Sequence, residues 1–222
     1  MRAPISVVIP TLNAAKNLPA CLDALVEALD AGLIRELIIT DGGSEDETLA
    51  LADAWGANLV SGSPSRGGQL RRGCAAAKGD WLLILHADTV LSKGWSEEIK
   101  QHLKSGKAGW FRLRFDRGGR AVAALANMRS RLGLPYGDQG LLLPARLYSQ
   151  VGGFSDIPLM EDVALVRALK GNLVELPAIA VTSADRYRKQ GWIKRSARNL
   201  WTLTQYFVGV SPHKLARRYN RH

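Results

Sequence analysis

The chain has 222 residues, of which 46% are hydrophobic and 23% are charged, and its formal net charge is +10. This composition excludes a disordered or fibrous chain and provides enough apolar material for one domain with a hydrophobic core. Two cysteines are too few for a disulfide framework, and no apolar run reaches membrane-spanning length. The N-terminus is broken too early by Pro10 to be a signal peptide, so a cytoplasmic location is expected.

Hydrophobic patterning predicts that strands and helices alternate in the first half of the chain. Short apolar runs predict strands at residues 5–9, 37–40, 58–60 and 81–85. Helical spacing predicts the apolar faces Leu18, Leu22, Leu25, Val26, Leu29 and then Leu49, Ala52, Trp55. Gly32 should end the first helix, and a capping box of Ser44 and Glu47 should start the second. A third helix is predicted at residues 66–79, and the alternation indicates a mostly parallel sheet covered on both faces.

Polar residues follow three of these predicted strands. Thr11 and Asn13 follow the first strand, Asp41 follows the second, and His86 and Asp88 follow the fourth. Each one alone is an ordinary turn residue or helix cap. Because ligands of open α/β sheets bind beyond the carboxyl ends of the strands, their coincidence at one edge predicts a binding site.

The residue types at this edge favour a nucleotide ligand. Gly42-Gly43 lets the backbone approach a ligand, and Asp41 can accept a hydrogen bond from the edge of a base. The sequence contains neither a dinucleotide fingerprint after the first strand nor a phosphate-binding Walker loop. Asp88 can hold a hard divalent cation, Mg²⁺ or Mn²⁺, which would bridge the phosphates of a diphosphate leaving group.

Four stretches carry a resemblance to a known family: VVIPTLNAAKNL (7–18), TDGGSEDET (40–48), GDWLLILHADT (79–89) and GGFSDIPLMEDVALVRAL (152–169). In this order they resemble the motifs of the inverting family two of GT-A glycosyltransferases. The nearest resemblance is to small bacterial single-domain members in which HADT replaces the usual D-x-D. It implies a Rossmann-like GT-A domain over residues 1–187, followed by a helical extension of the same domain over residues 188–222.

The resemblance also implies how a nucleotide-sugar donor binds. Residues near the nucleoside and diphosphate would be Pro10, Thr11, Asn13, Asp41, Gly43, Arg66, Gln69, His86, Asp88 and Arg186. Asp41 next to a base imide favours a UDP- or TDP-linked sugar. Asp88 and His86 would hold the metal, although an imidazole in the place of the first aspartate favours softer ions than magnesium.

The second half of the chain would bind the acceptor and perform the chemistry. In the family, the positions matching Asp138, Gln139 and Glu161 face or support the acceptor hydroxyl. Asp162 would be the general base, because a sugar hydroxyl must lose its proton as it attacks the anomeric carbon. A single displacement then inverts that carbon. Without the resemblance, the same acidic pair at a helix start is explained by the helix macrodipole.

Two alternative functions stay open at this level. A sugar-phosphate nucleotidyltransferase uses a similar sheet, but its glycine-rich, arginine-containing first loop is replaced here by Pro10-Thr11-Leu12-Asn13. A non-catalytic basic binding protein is the other alternative. No nucleic-acid-binding motif is present, so no nucleic-acid partner is expected.

The C-terminal segment carries all of the excess charge. Ten Lys and Arg residues and no acidic residue follow Asp185. Apolar residues recur among them, mostly at helical spacing: Trp192, Ile193, Leu200, Trp201, Leu203, Phe207 and Val208. This pattern predicts a cationic amphipathic helix that docks peripherally on the anionic inner face of a membrane, where a lipid-linked acceptor would be found. Alternatively, the apolar stripe packs on the protein's own sheet or on a second subunit in a homodimer.

Overall fold

The computed structural model describes residues 2–219. Residues 1 and 220–222 lie outside this range, and with them Arg221, one of the ten basic residues of the C-terminal segment. None of the helices within residues 2–219 combines the length and the apolar character that crossing a bilayer requires.

The described residues form one mixed eight-stranded sheet. Its strands are β1 (Ile5–Thr11), β2 (Ile34–Asp41), β3 (Asn58–Ser61), β4 (Trp81–Ile84), β5 (Thr89–Leu91), β6 (Ala108–Phe115), β7 (Leu141–Pro144) and β8 (Leu173–Thr182). Their order is β3-β2-β1-β4-β7-β6-β8-β5. The first four strands are parallel to one another, and β6 is parallel to β8. β7 runs antiparallel to β4 and β6, and β5 runs antiparallel to β8.

Helices cover both faces of the sheet. They are α1 (Leu18–Asp23), α2 (Val26–Asp30), α3 (Thr48–Ala54), α4 (Arg66–Ala76), α5 (Trp95–His102), α6 (Arg120–Arg131), α7 (Ala145–Gln150), α8 (Glu161–Ala168), α9 (Asp185–Gln190), α10 (Trp192–Phe207) and α11 (Pro212–Tyr219). Buried side chains of α1, α2, α3 and α5 pack on one face, and those of α4, α7 and α8 pack on the other.

The central strands are continuously apolar because both of their faces are buried. In β4, Leu83 faces the core under α1 and α5, whereas Leu82 and Ile84 face the core under α4 and α8. Successive side chains of a strand point to opposite faces, so each face receives alternate residues of the run. Each fully buried aliphatic side chain contributes roughly 1.5–3 kcal/mol to folding.

The sheet and helix predictions for the first half are confirmed in outline. The four predicted strands form, and both cysteines lie buried in helices as free thiols. The predicted helix of residues 66–79 is α4, although it ends at Ala76. Farther along, Val163 and Val166 of α8 are buried, as is Leu169 directly after it.

The first predicted helix is wrong as a single element. Residues 18–30 form two short helices that are interrupted at Ala24 and Leu25. Leu18, Leu22 and Leu25 are buried, but Val26 and Leu29 are exposed. After the interruption Ala28 is the buried residue of α2, so Val26 and Leu29 do not continue the apolar face.

The capping box of Ser44 and Glu47 is also wrong. α3 begins at Thr48, and no side chain caps it. The Ser44 hydroxyl instead donates to Asp41 Oδ1 at 2.6 Å, and it accepts the backbone N–H of Asn13 at 2.8 Å. On α3, Ala52 is buried, whereas Leu49 and Trp55 are each 37% exposed. Ser44 therefore connects two loops at the sheet edge and does not begin a helix.

Gly67 allows α4 to lie directly against the loop that precedes α8. A Cβ atom at this position would lie 2.7 Å from the carbonyl oxygen and 2.8 Å from the amide nitrogen of Ile157, and it would also collide with the Ser155 carbonyl. The Gly67 N–H donates to the Ile157 carbonyl at 3.1 Å. This contact fixes the loop that leads to Glu161 and Asp162.

Gly67→Ala is therefore expected to lower the free energy of unfolding. Overpacking against backbone costs roughly 1–3 kcal/mol or more, and the gain of about 1 kcal/mol in helix propensity offsets only part of it. Thermal unfolding followed by circular dichroism should show a Tm lowered by several degrees. Arg71→Ala, at an exposed position of the same helix, is the control and should leave Tm nearly unchanged. A Gly67→Ala protein as stable as wild type would contradict this packing.

Candidate functional site

A cavity of about 150 Å³ lies beyond the carboxyl ends of the central strands. Residues that follow β4 line this cavity, together with residues of the later helices α8, α9, α10 and α11. Seven of the residues predicted from the sequence line it: Arg66, His86, Asp88, Asp138, Glu161, Asp162 and Arg186. The tertiary fold thus brings together residues that are up to 120 positions apart in the sequence.

Asp88 offers a free carboxylate to this cavity. It lies in the turn between β4 and β5, which is closed by a hydrogen bond from the Thr89 N–H to the His86 carbonyl at 3.0 Å. Within residues 2–219, no hydrogen bond and no ion pair engages the Asp88 side chain, and it remains partly accessible to solvent. Its oxygens are therefore available to a ligand, and its role towards a cation and a diphosphate stays a prediction.

His86 is paired with Arg66 and not with an open coordination site. One guanidinium nitrogen of Arg66 lies 3.2 Å from Nδ1 and 3.4 Å from Nε2 of the imidazole. Burial lowers the pKa of His86 well below its usual range, and the charges of Arg66 and Arg186 lower it further. His86 is therefore neutral, and a guanidinium occupies the approach to its ring nitrogens. His86 lines the cavity in contact with Arg66, and its role as a metal ligand stays a prediction.

Asp162 is held at the start of α8. Its Oδ2 accepts the Gly137 N–H at 2.7 Å, and its Oδ1 accepts the Val163 N–H at 2.7 Å. Met160, directly before the helix, has a left-handed φ of 68°, which is a costly conformation for a residue with a side chain. Each carboxylate oxygen retains a lone pair after these bonds. The fold therefore fixes the carboxylate in one orientation and leaves it able to accept a proton.

Glu161 is buried next to Asp162. Its Oε1 lies 3.7 Å from the Nε of Arg66, and its Oε2 is buried without a hydrogen-bond partner among residues 2–219. Burial raises the pKa of Glu161, the neighbouring charge of Asp162 raises it further, and Arg66 opposes the shift. Glu161 thus lies next to Arg66 in the cavity wall, and its contact with the acceptor stays a prediction.

Asp138 is a further carboxylate in the cavity wall with an oxygen that lacks a hydrogen-bond partner among the described residues. Burial raises its pKa to about 6, against the opposing charge of Arg129. Its Oδ1 is buried and has no partner in the described part of the chain. A carboxyl group with these properties is suited to binding a hydroxyl group of a ligand, and the contact of Asp138 with the acceptor stays a prediction.

The predicted nucleoside end has a different arrangement. Thr11 and Asp41 are paired across β1 and β2, and Asp41 is only 1% exposed. Its oxygens accept four hydrogen bonds, from the Thr11 hydroxyl, the Gly43 N–H and both the N–H and hydroxyl of Ser44. Burial raises the pKa of Asp41, but these bonds outweigh burial and lower it overall.

The base contact of Asp41 stays a prediction, and these internal hydrogen bonds do not favour it. A carboxylate has about four lone-pair sites, and all four are used by the protein itself. Thr11 is also buried, with its hydroxyl engaged by Asp41. In this structure, the pair positions the loop of residues 41–44 and presents no open edge to a base.

The surrounding loops have the predicted place at the sheet edge but lie outside the cavity. Asn13 has a left-handed φ of 50°, and its Oδ1 accepts the Glu45 N–H at 2.9 Å. Gly43 has a φ of 96° and is exposed. Pro10 precedes Thr11 within β1. Pro10, Asn13 and Gly43 thus lie at the carboxyl ends of β1 and β2. Their contact with a nucleoside stays a prediction.

Two side chains that were predicted to contact ligands make internal hydrogen bonds in this structure, and their ligand contacts stay predictions. Gln69 is buried, and its amide nitrogen donates to the Thr11 carbonyl at 2.7 Å and the Thr40 carbonyl at 2.9 Å. Gln139 is buried completely, and its amide oxygen accepts the Ser130 hydroxyl at 2.6 Å. Neither side chain lines the cavity, because each satisfies backbone or side-chain groups beneath it.

The part of the cavity wall formed by α9, α10 and α11 was not predicted from the sequence. Tyr187, Arg195, Asn199 and Tyr219 line it from α9, α10 and α11 and are joined by hydrogen bonds. In the sequence, Arg195 is one of ten similar basic residues. Its only distinguishing signal is helical position, since it falls on the side opposite Ile193 and Leu200.

The residues present fit a divalent cation only in part. No group of three or more His, Cys, Asp or Glu side chains within residues 2–219 is arranged to hold a metal ion. Asp88 supplies one carboxylate, and Mg²⁺-type ions commonly take one or two carboxylates together with phosphate oxygens and water. The site therefore fits a cation that arrives with a diphosphate and does not fit one held by protein alone.

This α/β architecture, with its cavity at the carboxyl ends of the strands, is that of the GT-A glycosyltransferases. Residues 6–149 match the family described as Glycosyl transferase family 2. The match covers more than half of the chain, and the chain belongs to this family.

Curated relatives match part of the chain. A PGL/p-HBAD biosynthesis glycosyltransferase of Mycobacterium bovis (strain BCG / Pasteur 1173P2) is 41% identical over 99 residues, which cover 41% of this chain and 38% of that protein. A glucosyl-3-phosphoglycerate synthase of Mycobacterium tuberculosis (strain CDC 1551 / Oshkosh) is 36% identical over 95 residues, covering 39% of this chain and 29% of that protein. The matched segments thus span well under half of the relatives' length.

Solved structures share the fold over a larger part of the chain. The crystal structure of glucosyl-3-phosphoglycerate synthase from Mycobacterium tuberculosis in complex with Mn²⁺, UDP and phosphoglyceric acid has a TM-score of 0.59 and 24% identity. The alignment covers 81% of this chain and 69% of that one. A second crystal structure, of a mycobacterial protein, has a TM-score of 0.57 and 27% identity, with coverage of 81% and 65%.

Proposed function

We propose that the protein is an inverting glycosyltransferase that moves a sugar from a UDP- or TDP-linked donor to a hydroxyl acceptor in a single displacement. The observation that carries this proposal is the meeting of Asp88, Arg66, Arg186 and Asp162 in one cavity at the strand ends. An open carboxylate, two guanidinium groups and a fixed second carboxylate are the groups that diphosphate departure and hydroxyl activation need.

Asp162 acts as the general base. It takes the proton of the acceptor hydroxyl while the oxygen forms its bond to the anomeric carbon. The bond from that carbon to the diphosphate oxygen breaks on the opposite face, and the electron pair leaves with the nucleoside diphosphate. Arg66 and Arg186 offset the charge that develops on the leaving group. One displacement inverts the configuration and requires no covalent intermediate.

A divalent cation, Mg²⁺ or Mn²⁺, supports the departure of the diphosphate by neutralising its charge when bound. Asp88 would hold it together with the phosphate oxygens. The solved relative with Mn²⁺ and UDP is consistent with this assignment. The UDP in the same solved structure supports a uridine donor. Asp41 adds no support, because its carboxylate already accepts four hydrogen bonds within the protein.

Slow hydrolysis of the donor tests the proposal without knowledge of the acceptor. The purified protein should release nucleoside diphosphate from one member of a panel of nucleotide sugars in the presence of Mn²⁺, and thermal shift should identify the same member. A sugar-phosphate nucleotidyltransferase would instead release pyrophosphate from a nucleoside triphosphate. A non-catalytic binding protein would release neither product, and this outcome would refute the proposal.

We further propose that α10 docks on an anionic membrane surface, where a lipid-linked acceptor is met. Ile193, Leu200, Trp201 and Val208 point outward, and Trp201 is 64% exposed. Residues 186–219 contain no acidic residue, so a basic border surrounds this apolar row. Interfacial helices combine these two properties. Leu203 and Arg195, in contrast, are buried against the domain, so α10 is a wall of the cavity as well as an outer surface.

Vesicle co-sedimentation with Leu200→Ser plus Trp201→Ser tests the docking without removing the cavity wall. Loss of two interfacial side chains is expected to weaken binding to anionic vesicles by about tenfold or more. Leu29→Ser, at a similarly exposed position on α2, should bind as the wild type does. Equal recovery of wild type and the double variant would contradict membrane docking. Dimer dissociation in the double variant would assign the row to a homodimer interface instead.

A further inference from the structure

Helix α10 carries a buried guanidinium group into the cavity. Arg195 is only 9% exposed and lines the cavity together with Tyr187, Asn199 and Tyr219. Among residues 2–219, no carboxylate lies within 4.0 Å of it. A buried charge without an opposite charge is costly, and proteins usually pair such groups. The position of Arg195 therefore needs an explanation.

Neutral groups hold Arg195 in place, and none of the carboxylates that line the cavity forms an ion pair with it. Nη1 donates to Gln190 Oε1 at 2.8 Å, and Nη2 donates to the Tyr219 hydroxyl at 3.4 Å. The Tyr187 ring centroid lies 5.2 Å from the guanidinium carbon. The Nε–H is buried and has no acceptor within the described residues. An arginine has five N–H donors in a rigid fork, so this one is oriented but not saturated.

We infer that Arg195 binds an anionic group, a phosphate or a carboxylate, on the acceptor. The inference rests on the proposed function, and it names the class of acceptor. The donor diphosphate has its own candidate partners in Asp88, Arg66 and Arg186. Arg195 lies on α10 and lines the same cavity as these residues. An anion there supplies the missing opposite charge and the missing acceptor for Nε–H.

This arrangement discriminates between acceptors. Charge-assisted, bidentate pairing of a guanidinium with phosphate or carboxylate is stronger than a neutral hydrogen bond. A neutral hydroxyl compound would enter the cavity and leave the buried charge unpaired, which costs binding energy. Arg195 is thus a determinant of acceptor specificity and takes no part in bond making or breaking.

Phosphate binding to the UDP-saturated protein is the first test. Titration calorimetry of the full-length protein with inorganic phosphate, at saturating UDP and Mn²⁺, should detect a site that Arg195→Gln weakens by about tenfold or more and Arg195→Lys weakens less. Arg114→Gln removes the same charge from an exposed position of β6 and should leave phosphate affinity unchanged. UDP affinity should be equal in all four proteins, which shows that the variants are folded.

Two results of this titration would overturn the inference. If the wild-type protein binds phosphate without UDP but not at saturating UDP, the anion lies in the donor site. Equal phosphate affinity in wild type and Arg195→Gln would remove Arg195 from the site. A protein that binds phosphate through Arg195 but binds no nucleotide would instead count against the proposed function alone, so the two failures are distinguishable.

Matched acceptors provide the second test and separate the sources of the anion. UDP release from the identified donor should be accelerated by the phosphorylated or carboxylated member of pairs such as glucose 6-phosphate with glucose and glycerate with glycerol. A polyisoprenyl phosphate sugar in detergent is tested as the lipid-linked acceptor. If it accelerates UDP release and the soluble anions do not, the acceptor is lipid-linked. Arg195→Gln should lose the stimulation in either arm. Equal stimulation by charged and neutral members would overturn the inference.

Discussion

Replacing Asp162 with asparagine is expected to lower turnover by roughly a hundredfold or more, the contribution typical of a general base. The asparagine side chain retains the size of the aspartate, but it cannot accept the acceptor proton. Nucleoside diphosphate affinity should be nearly unchanged, because Asp162 contacts the Gly137 and Val163 amides and is not assigned to the donor. Steady-state kinetics with the identified donor, together with calorimetry with UDP, provide the measurement.

The control separates catalysis from the ordinary role of an acid at a helix start. Glu98→Gln removes an exposed carboxylate from the first turn of α5 and should change only stability, by a few tenths to about 1 kcal/mol. If Asp162→Asn retains wild-type turnover, or loses turnover only in parallel with Tm and UDP affinity, then Asp162 serves the helix and the base lies elsewhere.

The second large effect is expected for Asp88→Ala. Mn²⁺ should strengthen UDP binding to the wild-type protein, and this metal-dependent gain should disappear in the variant. Turnover should fall by about a hundredfold or more, since charge neutralisation by a bound cation is worth several kcal/mol. Titration calorimetry with UDP, with and without Mn²⁺, measures the gain independently of catalysis.

Asp80→Asn is the matched control for Asp88. It removes a carboxylate from an exposed position just before the same strand, at the end away from the cavity. Its metal-dependent gain should equal that of the wild type. Should Asp88→Ala retain the full gain, the cation is held by other groups, and the strand-end carboxylate loses its assigned role.

The apolar character of the central strands made the first half of the fold predictable. A strand that is buried on both faces must be apolar throughout. The apolar run before His86 therefore indicated both that this segment is a strand and that it lies inside the sheet. The position of Asp88 followed from that strand, because a residue just beyond the end of a parallel strand lies at the edge where ligands bind. The apolar pattern of one strand therefore predicted where Asp88 lies.

The hydrogen-bond partners of the polar side chains could not be predicted in the same way. Asp41, Gln69 and Gln139 match family positions, yet each is consumed by hydrogen bonds to groups that are distant in sequence, such as Thr11 and Ser130. Whether a polar side chain faces a cavity or satisfies a buried neighbour depends on the atoms around it. The sequence contains the residue types but not those neighbours.

The sequence alone determined the α/β class, the edge that carries the site and the excess of basic residues after Asp185, because these follow from periodicity and composition. Only the tertiary structure decided which of these residues meet. It placed Asp162 against the Gly137 amide, covered His86 with Arg66 and turned Arg195 inward while its neighbour Lys194 stays exposed. Periodicity fixes the relative directions of side chains on one helix, but the packing of that helix on the sheet decides which direction is buried.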